Sequence, residues 1–247
     1  MNAFEYYLPT RVIFGEGEIS RLGEVASLFG KKALLVTYDE NLVRSLPFFD
    51  KAEQVLKNAN VECVTFFGVK SNPTVEHIRK GVQLAKSEKP DVLIALGGGS
   101  VIDSVKAMAM GAFYDGDVWD LAVGDGEVSE ALPIVTVVTI PATSSEMNNT
   151  SVISNDELKR KEGFVNSLMF PKVSILDPEL TYSLPILQTA ISATDIVSHL
   201  MEGYINHNDP WAPMQDRFAQ GMIKTVVECM DRLMKDPKDT QARSTLM

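Results

Sequence analysis

Asp91-Val92-Leu93-Ile94-Ala95-Leu96-Gly97-Gly98-Gly99-Ser100-Val101-Ile102-Asp103-Ser104-Val105-Lys106-Ala107-Met108-Ala109-Met110 is the stretch on which the fold turns. Its first part is a short apolar run, entered from Lys89-Pro90, that reads as a strand buried on both faces. Its last part places Val101, Val105 and Met108 on one helical stripe, with Ile102 and Ala109 beside it. Between them stand three glycines and a serine. Residues without a Cβ let the backbone approach a ligand closely and adopt positive φ. The free N–H groups of the first helical turn, with the helix dipole, then favour an anion. Ser100 is placed to cap the helix or to bind the same anion. A diphosphate suits such a turn. A glycine cluster also serves where chains merely cross tightly, and this one is neither G-x-G-x-x-G nor a Walker sequence.

The flanks repeat the theme. Upstream, Arg11–Phe14, Lys32–Tyr38 and Val61–Phe67 read as strands, and Phe4–Tyr7 as a short one before them. Helical patterns run through Ile19, Leu22, Val25, Ala26 and Phe29, through Pro47–Ala59, and after the cap Ser71-Asn72-Pro73-Thr74. Strand and helix alternate, the signature of stacked βαβ units around a parallel sheet. Asp39, Asn72 and the glycine turn all fall at carboxyl ends of strands, where open α/β sheets bind ligands. Downstream, 114–132 reads as a loop with one short helix. Ile134–Ile140 and Val173–Leu176 read as strands, and 152–165 as a hairpin around a charged tip, Asp156–Glu162.

From about Leu184 the β-branched runs stop and Met and Ala become frequent, so Pro185–Asn206 and Met214–Met234 read as long helices. The expected fold class is α/β: a Rossmann-like parallel-sheet domain over 1–181, then an incomplete all-α segment over 182–247. About 65 residues of helix are few for a self-standing domain, so the chain is expected to be a piece of a longer one.

Composition bounds the function. The 247 residues are 45% hydrophobic and 23% charged, enough for a sizeable core. A net charge of −10 argues against nucleic acid or an anionic membrane surface as partner. An anionic cofactor must then be held by local backbone dipoles and a few cations. Two distant cysteines, Cys63 and Cys229, without a C-x-x-C pair, fit buried thiols in a reducing cytoplasm. No signal peptide and no membrane-length apolar run is visible.

In the first long helix Asp195 and His199 lie four apart, so a carboxylate and an imidazole share one face and can bind one cation. An ordinary charge pair with a core histidine has the same spacing. His77, on an upstream helix, and His207, past the end of this one, read as solvent-exposed.

Five markers occur in order: Ser71-Asn72-Pro73-Thr74, Gly97–Asp103, Ile140-Pro141-Ala142-Thr143-Ser144-Ser145-Glu146, Asp177-Pro178-Glu179-Leu180-Thr181, and Asp195–His199 followed by Glu202-Gly203-Tyr204. With them the chain, from Phe14-Gly15 onward, resembles the iron-containing (group III) alcohol dehydrogenases, in particular the butanol-dehydrogenase-like branch. The resemblance implies a soluble cytoplasmic homodimer with an NAD(P)-binding domain and a helical domain. That second domain holds Fe²⁺ or Zn²⁺ through one Asp and three His. Asp195 and His199 match two of these ligands, and the other two His are expected beyond residue 247. The resemblance assigns Gly98, Gly99, Ser100 and Val101 to the diphosphate and Asn72, Thr139 and Thr143 to the cofactor groove. It sets Lys161 near the nicotinamide ribose and packs Leu180 on the cofactor. Asp103 either orders the loop or approaches the reacting end of the cofactor, or is a structural cap. The family usually has Gly where Ser144 stands.

The reaction implied is hydride transfer between nicotinamide and a primary alcohol or aldehyde. Asp39 can accept from the adenosine ribose 2′-OH and repels a 2′-phosphate, which favours NAD over NADP. Alternatives are a polyol (glycerol-type) dehydrogenase, a dehydroquinate-synthase-like lyase of the same fold, and an inactive truncated nucleotide-binding module.

Overall fold

In the computed structural model the described residues are 3, 5–206 and 211–247. They fall into two compact units. An α/β unit comprises Pro9–Thr139 and Ser144–Asp177. A helical unit comprises the described residues of 1–8, Ile140–Thr143 and Pro178–Met247.

The α/β unit is built on strands β1 (Arg11–Phe14), β2 (Lys32–Val36), β3 (Glu62–Phe66), β4 (Val92–Gly97), β5 (Ile134–Val138) and β8 (Val173–Leu176). They form a six-stranded sheet in the order β1-β8-β5-β4-β2-β3. Every pairing in it is parallel. The central strands β4, β5 and β8 are buried at every position, which is why they read as unbroken apolar runs, while edge strand β1 buries one residue in four. Around the sheet run α1 (Leu22–Ser27), α2 (Glu40–Arg44), α3 (Pro47–Asn58), α4 (Val75–Glu88), α5 (Gly99–Gly111) and α6 (Val118–Val123). A separate antiparallel hairpin joins β6 (Thr150–Asn155) to β7 (Arg160–Val165).

The strand order locates the functional end. From β2 the chain moves outward to β3, then returns across β2 to β4 and continues the other way to β5. The order therefore reverses between β2 and β4, the position where open α/β sheets hold ligands at their carboxyl ends. Thr37 and the glycine turn end those two strands, and Thr37 Oγ1 donates to Leu96 O at 2.8 Å across the switch.

Several expectations change. The helix expected through 18–29 opens as a 3-10 turn, Glu18–Arg21, held from afar: buried Asp177 accepts from Gly17 N and Ile19 N at 3.1 and 3.0 Å. So the Asp-Pro marker after β8 anchors the turn after β1. Phe4 lies outside the described residues, and Tyr6 and Tyr7 are exposed and form no strand. The hairpin tip is shorter than expected, because Arg160–Glu162 belong to β7.

The helical unit carries α7 (Ile186–Asn206), α8 (Pro213–Lys235) and α9 (Thr240–Leu246). Its core gathers Ala193, Val226, Cys229, Leu233, Ala242 and Leu246. The sequence reading missed α9, whose N-cap Asp239 accepts from Ala242 N at 3.0 Å. Buried Arg243 secures it: Nε donates to Pro237 O, Nη1 to Thr181 O and Thr189 Oγ1, Nη2 to Leu184 O and Pro237 O, at 2.7–3.2 Å. Burial lowers its pKa. Both cysteines are free thiols, Cys229 buried and Cys63 half-buried, and burial pushes Cys63 up to about 11. No helix among the described residues is long and apolar enough to cross a membrane.

Candidate functional site

The glycine turn forms the N-terminus of α5, with Gly98 as the N-cap and no side-chain cap, so Ser100 does not cap the helix. None of its glycines takes positive φ. The need for glycine here is steric at Gly97: a Cβ there would meet Val101 Cγ2 at 2.5 Å. Gly98 O accepts from Val101 N and Ile102 N at 3.0 and 3.1 Å. Gly98 N, assigned to the diphosphate, instead donates to the Tyr38 hydroxyl at 2.8 Å. Thr139 hydrogen-bonds the same hydroxyl through its side chain, and burial pushes the Tyr38 pKa up. Thr139 N donates to Gly97 O at 3.1 Å. Tyr38 thus spans the switch point and fixes the turn. Gly99 and Ser100, half-buried, are left with N–H groups that meet no acceptor among the described residues. Two such amides on the first turn of a thirteen-residue helix have the chemistry to hold an anion. Val101 is fully buried, so its side chain packs the helix and does not face a ligand.

The rim of this end is also tied together. Asn72 holds φ 55 in the left-handed region, and its Oδ1 accepts from Lys161 Nζ at 2.8 Å. Two residues assigned to the cofactor, distant in sequence, are therefore neighbours. Ser154 N donates to Pro73 O at 2.9 Å and seats the hairpin beside Asn72. Asp39 is the N-cap of α2: its Oδ1 accepts from Asn41 N and Leu42 N at 3.0 and 3.3 Å.

Asp103 lies one turn into α5, where its Oδ1 accepts from Ser145 Oγ at 2.6 Å and its Oδ2 from Val152 N at 3.0 Å. Burial raises its pKa, opposed by Ser145 and Lys106. Lys106, wholly buried, was not singled out from sequence. Its ammonium donates to Ser145 Oγ, Asn148 Oδ1 and Thr150 O at 2.9, 2.8 and 2.8 Å. Burial lowers its pKa to about 8.

In the helical unit Thr143 is exposed and Leu180 buried. Asp195 Oδ1 and His199 Nε2 stand 3.7 Å apart on α7, with side chains 43% and 56% exposed. Both side chains are thus part-exposed on this face of α7. Among the described residues no group of three or more His, Cys, Asp and Glu could hold a metal. His207 lies outside those residues. His77 is not solvent-exposed as expected: it stacks on Phe66 at 4.6 Å, and its Nε2 is buried without a partner. Burial lowers its pKa.

With the geometry described, comparison decides the kinship. Residues 9–178 match the iron-containing alcohol dehydrogenase family, and 189–247 match the C-terminal region of the Fe-containing alcohol dehydrogenase family. The chain belongs to the iron-containing alcohol dehydrogenase family. A probable NADH-dependent butanol dehydrogenase of Bacillus subtilis is 41% identical over 247 residues, spanning 100% of this chain and 63% of the relative. An NADPH-dependent aldehyde reductase of Escherichia coli is 34% identical over 250 residues, with 100% and 63% spanned. The crystal structure of an NADH-dependent butanol dehydrogenase A from Thermotoga maritima superposes with a TM-score of 0.94 at 38% identity, covering 100% of this chain and 61% of that one. The chain thus spans about 63% of the length of the curated relatives it matches. Its α/β sheet is that of this family.

Proposed function

We propose that this member of the iron-containing alcohol dehydrogenase family is a metal-dependent, NAD(P)-linked alcohol dehydrogenase or aldehyde reductase. It interconverts a primary alcohol plus NAD⁺ with an aldehyde plus NADH and H⁺. The observation that carries the reading is the cradle at the switch point, Gly99 and Ser100 with amides that meet no acceptor among the described residues at the start of α5. Similarity to NADH-dependent butanol dehydrogenases over the whole chain supports the substrate class.

In this reading 1–181 is the NAD(P)-binding domain and 182–247 the first part of a helical metal and substrate domain. The Gly99 and Ser100 amides take the diphosphate, and Tyr38 holds the turn in register. Asn72 and Lys161 present an amide and an ammonium at the rim for the ribose side of the cofactor. Gly98, Val101 and Thr139 shape the turn without donating to the ligand. Thr143 and Leu180 complete the set for the cofactor. Asp39 retains Oδ2 while Oδ1 caps α2, and Glu40 follows it, so a 2′-phosphate meets carboxylates. NAD is favoured over NADP on that ground.

Asp195 and His199 are an oxygen and a nitrogen donor on one helix face, which suits part of a site for Fe²⁺ or Zn²⁺. When bound, such an ion supplies Lewis acidity toward a substrate oxygen and the nicotinamide supplies the hydride. A cytoplasmic homodimer is the assembly we propose.

The test is metal analysis, NADH binding and NADH oxidation with butanal, on the protein and on Asp195→Ala and His199→Ala. Each substitution is expected to remove metal and turnover while leaving NADH affinity nearly unchanged. Full turnover in either variant defeats the metal assignment, and a protein that binds no nicotinamide nucleotide defeats the reading as a whole.

A further inference from the structure

Lys106 is a cation without exposed surface in the middle of α5, and a bare buried ammonium is costly unless every proton finds an acceptor. All three do: Ser145 Oγ, Asn148 Oδ1 and Thr150 O, none of them on α5. Ser145 then passes its own proton toward Asp103 Oδ1, so ammonium and carboxylate are joined through one hydroxyl. Asp103 returns to the same segment by accepting from Val152 N, and its carbonyl accepts from Ser151 Oγ at 2.9 Å. The network therefore clasps 145–152 onto the helix whose first turn is the anion cradle. From Thr150 onward that segment is β6, paired residue by residue with β7, where Ser154 stands opposite Lys161. Lys161 reaches Asn72 at the rim of the sheet. Hydrogen bonds at either end and the paired strands between them thus link the interior of α5 to the rim.

We propose that Lys106 is a positioning residue: through Ser145, Asn148 and Thr150 it fixes the β6–β7 hairpin on α5 and so sets Asp103 and Lys161 for a nicotinamide dinucleotide. This rests on the nucleotide-binding reading above. Lys106 touches no ligand itself. It acts by holding the hairpin in the one place from which Lys161 meets Asn72. A lysine whose partners were only solvent or a surface carboxylate would have no such consequence. The bridge also accounts for Asp103, which serves the network with both oxygens and so orders the segment rather than capping α5, whose cap is Gly98.

The experiment measures NADH dissociation constants by fluorescence, and hydrogen exchange of the hairpin amides, for the protein, Lys106→Met, Ser145→Ala and Ser145→Thr. Lys106→Met is expected to weaken NADH binding about tenfold and to speed exchange across β6 and β7 while β4 and β5 keep their protection. Ser145→Ala, which leaves the lysine in place and guards against a Lys106 variant that does not fold, is expected to show the same pattern more weakly. Ser145→Thr, which restores the hydroxyl, is expected to recover affinity, a rescue that mere packing would not give. Wild-type affinity in Lys106→Met or Ser145→Ala, unchanged hairpin exchange, or failure of Ser145→Thr to improve on Ser145→Ala overturns the proposal. A wild-type protein that binds no NADH sinks the nucleotide reading along with it, whereas binding that is indifferent to all three variants sinks this inference alone.

Discussion

Tyr38, Asp103 and Lys161 in the α/β unit each bond to a residue far away in sequence, at 2.6–3.0 Å. Asp195 and His199 in the helical unit meet, among the described residues, only each other at 3.7 Å. The first group sits where a parallel sheet, a buried helix and a hairpin converge, so the fold itself does the arranging. The second sits on a part-exposed face of α7, in a unit that also exposes Leu187, Ile191, Met201, Trp211, Met214 and Phe218. The same sequence spacing that puts Asp195 and His199 on one face does nothing to fix their rotamers. The difference teaches that the turn at the start of α5 is fixed by hydrogen bonds across the sheet, whereas helical spacing alone leaves the Asp195–His199 pair held only by its own contact.

The contrast can be broken from the helical side first. In that unit a dense set of hydrogen bonds surrounds Arg243. Arg243→Leu strands the carbonyls of Thr181, Leu184 and Pro237 and is expected to lower stability by about 3 kcal/mol, read by urea unfolding. A loss under about 1 kcal/mol shows that those acceptors find water instead.

Lys106 gives the next effect. Its folded pKa, about 8, lies below its unfolded value, so between about pH 8 and the ordinary lysine range the unfolded chain binds more protons. Stability of the α/β unit therefore rises with pH across that window, by an amount on the order of 2 kcal/mol. The gain is absent in Lys106→Met.

Tyr38→Phe sharpens the comparison from the other side. It leaves the Gly98 amide without its acceptor and is expected to cost about 1 kcal/mol and several-fold in NADH affinity, by thermal melting and fluorescence titration. Ser144 stands at φ 53, a left-handed conformation that glycine adopts without strain. Ser144→Gly is expected to raise stability by about 0.5 kcal/mol in the same melts. Asp195→Ala is expected to change stability by less than about 0.5 kcal/mol, because the carboxylate is nearly half exposed and holds no other described residue.

Much of this was legible in the residues. The apolar run Val92–Leu96, the three glycines and the stripe through Val101 and Met108 announce strand, turn and helix, because burial on both faces leaves no polar alternation. Asp195 and His199 are legible for the opposite reason, since helical spacing alone pairs them. What escaped was local and short, or distant. Helix α2 is five residues, too brief for periodicity, so nothing in the sequence marks Asp39 as its cap. Helix α9 hides behind Asp236-Pro237, which reads as a stop. Lys106 looks like any helix lysine, because its partners lie about forty positions on and nothing nearby marks it as buried. His77 likewise gives no sign in sequence of its stacking on Phe66. Positive φ was expected at the glycine turn, but glycine is needed there for the close approach of Val101 to Gly97.

The central claim, that the first turn of α5 grips a diphosphate, is tested most directly by following backbone amide resonances while NADH is added. The account predicts that Gly99 and Ser100 shift most, with Lys161 and Asn72 next and Gly98 comparatively still because Tyr38 already holds its proton. Saturable NADH binding that leaves Gly99 and Ser100 unmoved, with the large shifts elsewhere on the chain, contradicts it.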